Sequence, residues 1–243
     1  MRRTCIWAWR VTREILRDPL SLIFGIGFPL VLLLLLHAIQ SNVPVPMFVL
    51  SELTPGIAVF GLSFLALFSA QLISRDRESF VLGRIYTTPM RGVDFILGYV
   101  LPLLPMALCQ GGVCYALALV LGLSWTPNLF VALLCLLPIA CVYIGIGLFV
   151  GSLLSEKAAT SMCGALLTNL SAWLSGTWFS LELVGEGFVA FARVLPFARA
   201  VDLGRSALAG DWSEVWLPLS IVSAWAVLFC TAAVVAFAKK MKQ

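Results

Sequence analysis

The chain has 243 residues, 61% of them apolar and 12% charged, with a mean hydropathy of +1.02. Soluble domains carry about 45–50% apolar and about 25% charged residues, so this composition excludes an ordinary aqueous globule and points to an integral membrane protein. The net charge of +4 acquires meaning only once the basic residues are assigned to a side of the membrane.

Met1 to Asp18 reads as an amphipathic arm (residues 1–18), with Arg3, Arg10, Arg13, Glu14 and Arg17 set against Ile6, Trp9, Ile15 and Leu16. Arginines opposite tryptophans suit a helix lying in the headgroup region. Leu20 to Ala38 is the first span, 19 residues with no acid, Lys or Arg, enough to cross roughly 30 Å of hydrocarbon. The long charged segment before it, and the lack of a small-x-small site after Leu36, argue against a signal peptide. A short connection with Pro44 and Pro46 leads to the second span, residues 55–73.

Ser74 to Gly98 is the long polar interruption, carrying Arg75, Asp76, Arg77, Glu78, Arg84, Arg91 and Asp94 among Phe80, Val81, Leu82, Ile85 and Tyr86. The alternation fits a short amphipathic helix that Thr88-Pro89 would end, because the residue before proline is pushed out of the α region. Held between two spans, such a helix is a handle for a soluble partner. A solvated connecting loop is the other reading of the same residues.

Residues 95–123 form the third span, in which Pro102 and Pro105 are expected to kink or break the helix near its start. Residues 129–154 are the fourth, where Gly145, Gly147 and Gly151 allow another helix to approach closely. Residues 158–181 are the fifth span and 216–238 the sixth. Between them, Glu182 to Glu214 is too polar to span and too apolar to be free in water, which two short half-inserted helices would explain. Neither a second domain nor an internal repeat stands out, so 1–243 reads as one transmembrane domain. The seven cysteines show no metal-like spacing with the lone His37, and six lie in apolar runs, so they are expected to be small buried hydrophobes.

Six spans put both termini on one side. Thirteen of the sixteen Lys and Arg residues fall there, against Arg193, Arg199 and Arg205 on the other. The positive-inside rule makes the thirteen-residue side cytoplasmic.

The six proposed spans contain no Asp, Glu, Lys or Arg, whereas an ion-coupled transporter usually needs intramembrane carboxylates or unwound helices. No G-x-x-x-x-G-K-[ST] loop is present; Gly151 to Lys157 lacks the second glycine. Motifs and paired intramembrane acids for catalysis are missing too. Any energy for work must therefore arrive from another subunit, and the loop at 74–98 is the natural receiver.

The stretches RDPLSLIFGIGFPLVLLLL, RESFVLGRIYTTPMRGVDFILGYVLP and LPFARAVDLGRSALAGD, in that order, resemble the ABC-2 type permeases, the membrane subunits of bacterial ATP-binding cassette exporters. The most specific part is the Arg/Glu-rich helix followed by Thr-Pro and an apolar-Gly step, here Glu78, Arg84, Thr88-Pro89 and Gly98. One departure is Phe80-Val81-Leu82-Gly83, where many members have a Gly-Thr-Leu-Glu-like string. The resemblance implies an all-α membrane fold with an interfacial elbow helix at 1–18, a coupling helix between spans two and three, and a re-entrant segment over 182–214. It implies coupling to a separate ATPase through Arg75, Arg77, Glu78, Arg84, Thr88, Pro89 and Arg91, with ATP and Mg held by that partner and no cofactor in this chain. It also implies pairing with a second permease copy or paralogue, in a bacterial inner membrane.

The spans lack charges to neutralise a multiply anionic cargo, so an amphipathic or hydrophobic substrate (drug, peptide or lipid) fits best. The competing reading is an ATP-independent channel or scaffold, which would use the same helix packing without needing a cytoplasmic helix ending in Thr-Pro. A lipid-modifying enzyme would need a cluster of acids or His at one depth, and Glu52, His37, Glu182 and Glu186 share no such spacing.

Overall fold

The computed structural model describes residues 2–44, 48–79 and 92–240, and among them there are helices and turns but no strand. Helix α1 spans Arg2–Leu16 and α2 spans Pro19–Asn42. Asp18, which precedes a proline, is driven out of the helical region, and Pro19 opens α2 at a position where its missing N–H would have had no partner. Helices α3 (Leu50–Gly61) and α4 (Ser63–Glu78) form one broken span. Then follow α5 (Gly92–Val120) and α6 (Asn128–Leu153). Helix α7 (Glu156–Ser161), a π turn (Met162–Leu167) and α8 (Thr168–Leu174) run on without a gap. A 3-10 turn at Leu181–Leu183 precedes α9 (Glu186–Val194), α10 (Pro196–Ala209) and α11 (Trp212–Lys240).

Among the described residues, five stretches are long and apolar enough to cross a membrane: residues 22–42, 50–78, 92–120, 128–153 and 212–240. The expected fifth span, 158–181, is helical only to Leu174 and is divided by the π turn, where Thr168 Oγ1 donates to Cys163 O five residues back at 3.1 Å. Its two ends nevertheless lie far apart in the bundle. The Glu156 N–H bonds Glu78 at the end of α4, while Thr177 packs on Gly56 near the middle of α3.

The second span differs from expectation at both ends. It starts at Leu50, before Pro55, and it runs on through Glu78. Arg75, Asp76, Arg77 and Glu78 therefore belong to the last turn of a spanning helix, not to a separate amphipathic helix, and that helix does carry charge. Phe80 to Arg91, which include Arg84, Thr88, Pro89 and Arg91, lie outside the described residues. Helix α5 is unbroken at Pro102 and Pro105. Of the six cysteines in apolar runs, Cys114, Cys135 and Cys163 are buried as expected, Cys141 and Cys230 are half-buried, and Cys109 is exposed.

Helix α6 is the centre of the bundle, packed by α4, α5, α10 and α11. Three glycines set its close contacts. A Cβ on Gly147 would overlap the backbone of Ala66 and the side chain of Ser69, and one on Gly151 would overlap Ala70, so α4 lies directly on this face. Gly145 faces Phe229 and Cys230 of α11. Backbones this close gain dispersion contacts where lipid offers no hydrophobic drive between helices. Ser69 Oγ also donates to Ile144 O at 3.3 Å, and Tyr143 and Ser171 share a buried hydrogen bond of 2.5 Å. Within residues 50–78, 83% of the most apolar window is buried, against 22% for α2, so α2 presents Ile23, Phe24, Val31, Leu34 and Leu35 outward.

The break between α3 and α4 has a local cause and a local remedy. Leu62 N–H donates to Val59 O at 3.0 Å, a three-residue turn, so Ala58 O loses its helical donor. The Gln110 side chain on α5 supplies a replacement N–H at 3.3 Å, and Gly61 leaves room for it.

Candidate functional site

The charged side chains of the α4 terminus converge on a hub at the end of the bundle that carries α1. Asp76 is 2% exposed. One oxygen accepts from Arg10 Nη1 at 2.9 Å and from the Tyr99 hydroxyl at 2.7 Å, and the other accepts from Arg10 Nη2 at 2.5 Å. The carboxylate is thus held by a two-pronged guanidinium and a phenol, which offsets the cost of removing it from water. Arg10 is a third exposed, bonds Glu14 at 3.3 Å, and lies 4.5 Å from the centre of the Trp7 ring. Its pKa is raised, chiefly by the hydrogen bond to Asp76. Burial, then the nearby Asp76 charge, pushes the Glu14 carboxyl up, while Arg10 and Arg75 pull it down.

Trp7 fixes α1 against α5. Its ring meets Phe95 and Tyr99 edge-on at 5.5 and 5.8 Å, and it sits over Gly98, where a Cβ would overlap the indole. Thr4 donates to Asp94 at 3.0 Å, a second tie between the starts of α1 and α5. The glycine of the apolar-Gly step thus makes room for the arm's tryptophan.

The neighbouring residues of α4 point to the next loop. Arg77 donates to Ser152 O and Leu154 O, closing the last turn of α6. Glu78 accepts the Glu156 N–H at 2.8 Å, at the N-terminus of α7, where a carboxylate is favoured by unpaired amides and the helix dipole. Arg75 bonds Glu156 at 3.3 Å. One helical turn therefore grips α1 and α5 through Asp76, α6 through Arg77, and α7 through Arg75 and Glu78.

The structure brings together three of the residues singled out for coupling, Arg75, Arg77 and Glu78. The partners that sequence reasoning missed are Arg10, Tyr99 and Glu156. The i,i+4 placement of Arg10 and Glu14 was visible, but nothing local pointed from Arg10 to a carboxylate 66 residues away.

At the opposite end, a cavity of about 300 Å³ lies among Glu52, Gly176, Trp178, Glu182, Arg193 and Asp202. Arg205 reaches across it, donating to Glu52 O and Gly176 O, both at 3.2 Å. Asp202, 3.7 Å from Arg199, has its pKa raised by burial, opposed by Arg199, Arg205 and Arg193. Among the described residues no group of His, Cys, Asp and Glu has the arrangement of a metal site.

These features define a multi-pass helical membrane protein whose charged residues gather at helix termini. The chain belongs to the ABC-2 type transporter family, whose model matches residues 2–209, and the matched region is the membrane-spanning transport part of such transporters. No curated protein matches the chain.

Proposed function

We propose that this chain is the permease subunit of an ATP-driven exporter, moving an amphipathic or hydrophobic substrate out of a bacterial cytoplasm. A separate ATPase docks below, and a second permease copy or paralogue completes the path. The observation that carries the reading is the hub itself. A push on the last turn of α4 reaches α1, α5, α6 and α7 at once, because each is bonded to that turn. A docking surface followed by a rigid, desolvated anchorage is what transmission of a mechanical step needs.

The reading includes six crossings, with 156–174 as the fifth and 182–214 as a segment that re-enters from outside. Support comes from the bonding of Glu156 to Glu78 and the packing of Thr177 on Gly56, which lie toward opposite ends of the second span. The basic residues then put the α1 end in the cytoplasm. Arg75, Arg77 and Glu78, with Arg84, Thr88, Pro89 and Arg91 beyond them, form the receiving surface.

A mild-detergent pull-down from native membranes, with ATP hydrolysis assayed on the eluate, tests this. A co-purifying ATPase is expected. Since Glu78 also caps α7, the informative pair is Glu78→Gln, which keeps an acceptor, and Glu78→Lys, which does not: both should weaken coupled transport, the lysine variant more. A preparation with neither a nucleotide-binding partner nor hydrolysis above background would leave an uncoupled channel or scaffold as the better reading.

A further inference from the structure

We propose that the exposed face of α1 is a binding site for the headgroup of an acidic phospholipid, held by Arg13 and Arg17. The inference rests on the arrangement of α1 and not on the ATPase reading.

A groove of about 810 Å³ runs along this face beside Arg75. Four arginines line it, and they differ in their commitments. Arg10 is bonded to Asp76 and Glu14, and Arg75 to Glu156. Arg13 and Arg17, one turn apart, form no ion pair with a carboxylate among the described residues. Arg13 lies 5.3 Å from the centre of the Trp9 ring, which holds the guanidinium in place at little entropic cost. Glu14 and Asp18 line the groove as well, but Glu14 is engaged by Arg10. Four arginines against Glu14 and Asp18 leave the groove positive, and Arg13 and Arg17, planar cations at i,i+4, are the pair placed to match one phosphodiester.

The apolar part of the face decides what kind of phosphate would occupy it. Contrary to the opposed faces expected from the sequence, Ile6, Trp9 and Leu16 follow the same helical stripe as Arg13 and are 66, 60 and 67% exposed. The face cannot turn away to hide them, because Thr4, Trp7 and Val11 on the other side of α1 are buried against the bundle. A free phosphate would satisfy the guanidiniums and leave the indole and the branched side chains in water. A phospholipid supplies the phosphodiester and, directly below it, acyl chain for Ile6, Trp9 and Leu16. An acidic headgroup is preferred over a zwitterionic one, since an ammonium or choline beside Arg13 and Arg17 would be repelled.

The test uses the full chain purified in detergent, titrated with phosphatidylglycerol, phosphatidylcholine or inorganic phosphate, with bound lipid counted by native mass spectrometry. The double variant Arg13→Gln, Arg17→Gln should lower phosphatidylglycerol affinity about 25-fold, at roughly five-fold per arginine, and leave phosphatidylcholine binding unchanged. The double lysine variant keeps the charge but loses the planar fork, so its affinity should fall less than that of the glutamine variant and keep its dependence on salt, which keeps the proposal testable where the glutamine variant fails to fold. Unchanged phosphatidylglycerol binding in the glutamine variant, or binding insensitive to salt in the lysine variant, overturns the site. Equal competition by inorganic phosphate shows a simple anion site and also overturns it. Loss of a co-purifying protein with lipid binding intact shows that the face serves a soluble partner instead. None of these outcomes depends on whether the chain is coupled to an ATPase.

Discussion

At the α1 end, Arg10, Asp76, Tyr99, Arg77, Glu78 and Glu156 bond one another or the terminus of a helix from another part of the chain. At the opposite end, Arg205 reaches two backbone carbonyls beside a cavity of about 300 Å³, while Glu52, Glu182 and Arg193 face water. The first arrangement has charge removed from solvent and replaced by fixed partners. The second keeps charge solvated around open space. One end is rigid and desolvated and the other open, so substitutions should disturb the two ends very unequally.

The largest effect is expected from Arg10→Ala. It strands the buried Asp76 carboxylate with only the Tyr99 hydroxyl, and loss of one partner of a buried pair costs about 3–5 kcal/mol. Asp76→Asn leaves a partly exposed arginine that can find water, and keeps an acceptor for Tyr99, so about 1–2 kcal/mol is expected. Thermal unfolding in detergent should rank them in that order. Equal losses would mean that Asp76 is solvated in the protein and that the hub is looser than its geometry.

Next comes the close α4–α6 contact beside the hub. Gly147→Ala drives a methyl into the Ala66 carbonyl and the Ser69 hydroxyl, and backbone cannot move as a side-chain tip can. Overpacking of this kind costs about 1–3 kcal/mol. The control is Gly112→Ala, where a Cβ meets nothing within 4 Å, and folded yield should be unchanged. At the opposite end, Arg205→Ala removes two hydrogen bonds from a half-buried guanidinium to carbonyls that water can reach. We expect a loss of about 1 kcal/mol or less.

How much of this was legible in the sequence follows the range of the interactions involved. Helix α6 was readable to within a residue, because an apolar run ends where Ser155 and Glu156 begin, and the need of Gly147 and Gly151 for close packing was visible in their spacing. The second span extends past its apolar run at both ends. The uninterrupted apolar run opens at Pro55 although the helix begins at Leu50, and it ends before Arg75 although the helix continues to Glu78. Backbone hydrogen bonding does not stop at a charged residue when a partner from elsewhere receives the charge, and Arg10 is that partner for Asp76. The π turn at Met162–Leu167 left no compositional trace, since it depends on which carbonyl each amide finds. Candidate coupling residues could be placed in the right segment, but the partners of Arg75, Arg77 and Glu78 lie 75 to 81 residues away along the chain and only the fold reveals them.

The smallest expected effect is also the one that reports on the hub's charge balance. Burial and the Asp76 charge raise the Glu14 carboxyl above its ordinary range, so the folded protein favours its neutral form more than the unfolded chain does. A folded-state pKa above the unfolded one means a contribution that is fully present below the unfolded value and lost as pH rises through the folded value. Glu14 should therefore detract slightly from stability at neutral pH, despite its contact with Arg10 at 3.3 Å. Glu14→Gln should be neutral or slightly stabilising at pH 7, by less than about 1 kcal/mol, and should flatten the decline in stability from the ordinary carboxylate range upward. Asp76→Asn removes the one charge that raises Glu14 and leaves Arg10 and Arg75, which lower it, so in that background the Glu14 titration should move back down. Were the Glu14→Gln protein clearly less stable at pH 7, its bond to Arg10 would outweigh its burial, and the hub would contain two working ion pairs on one arginine.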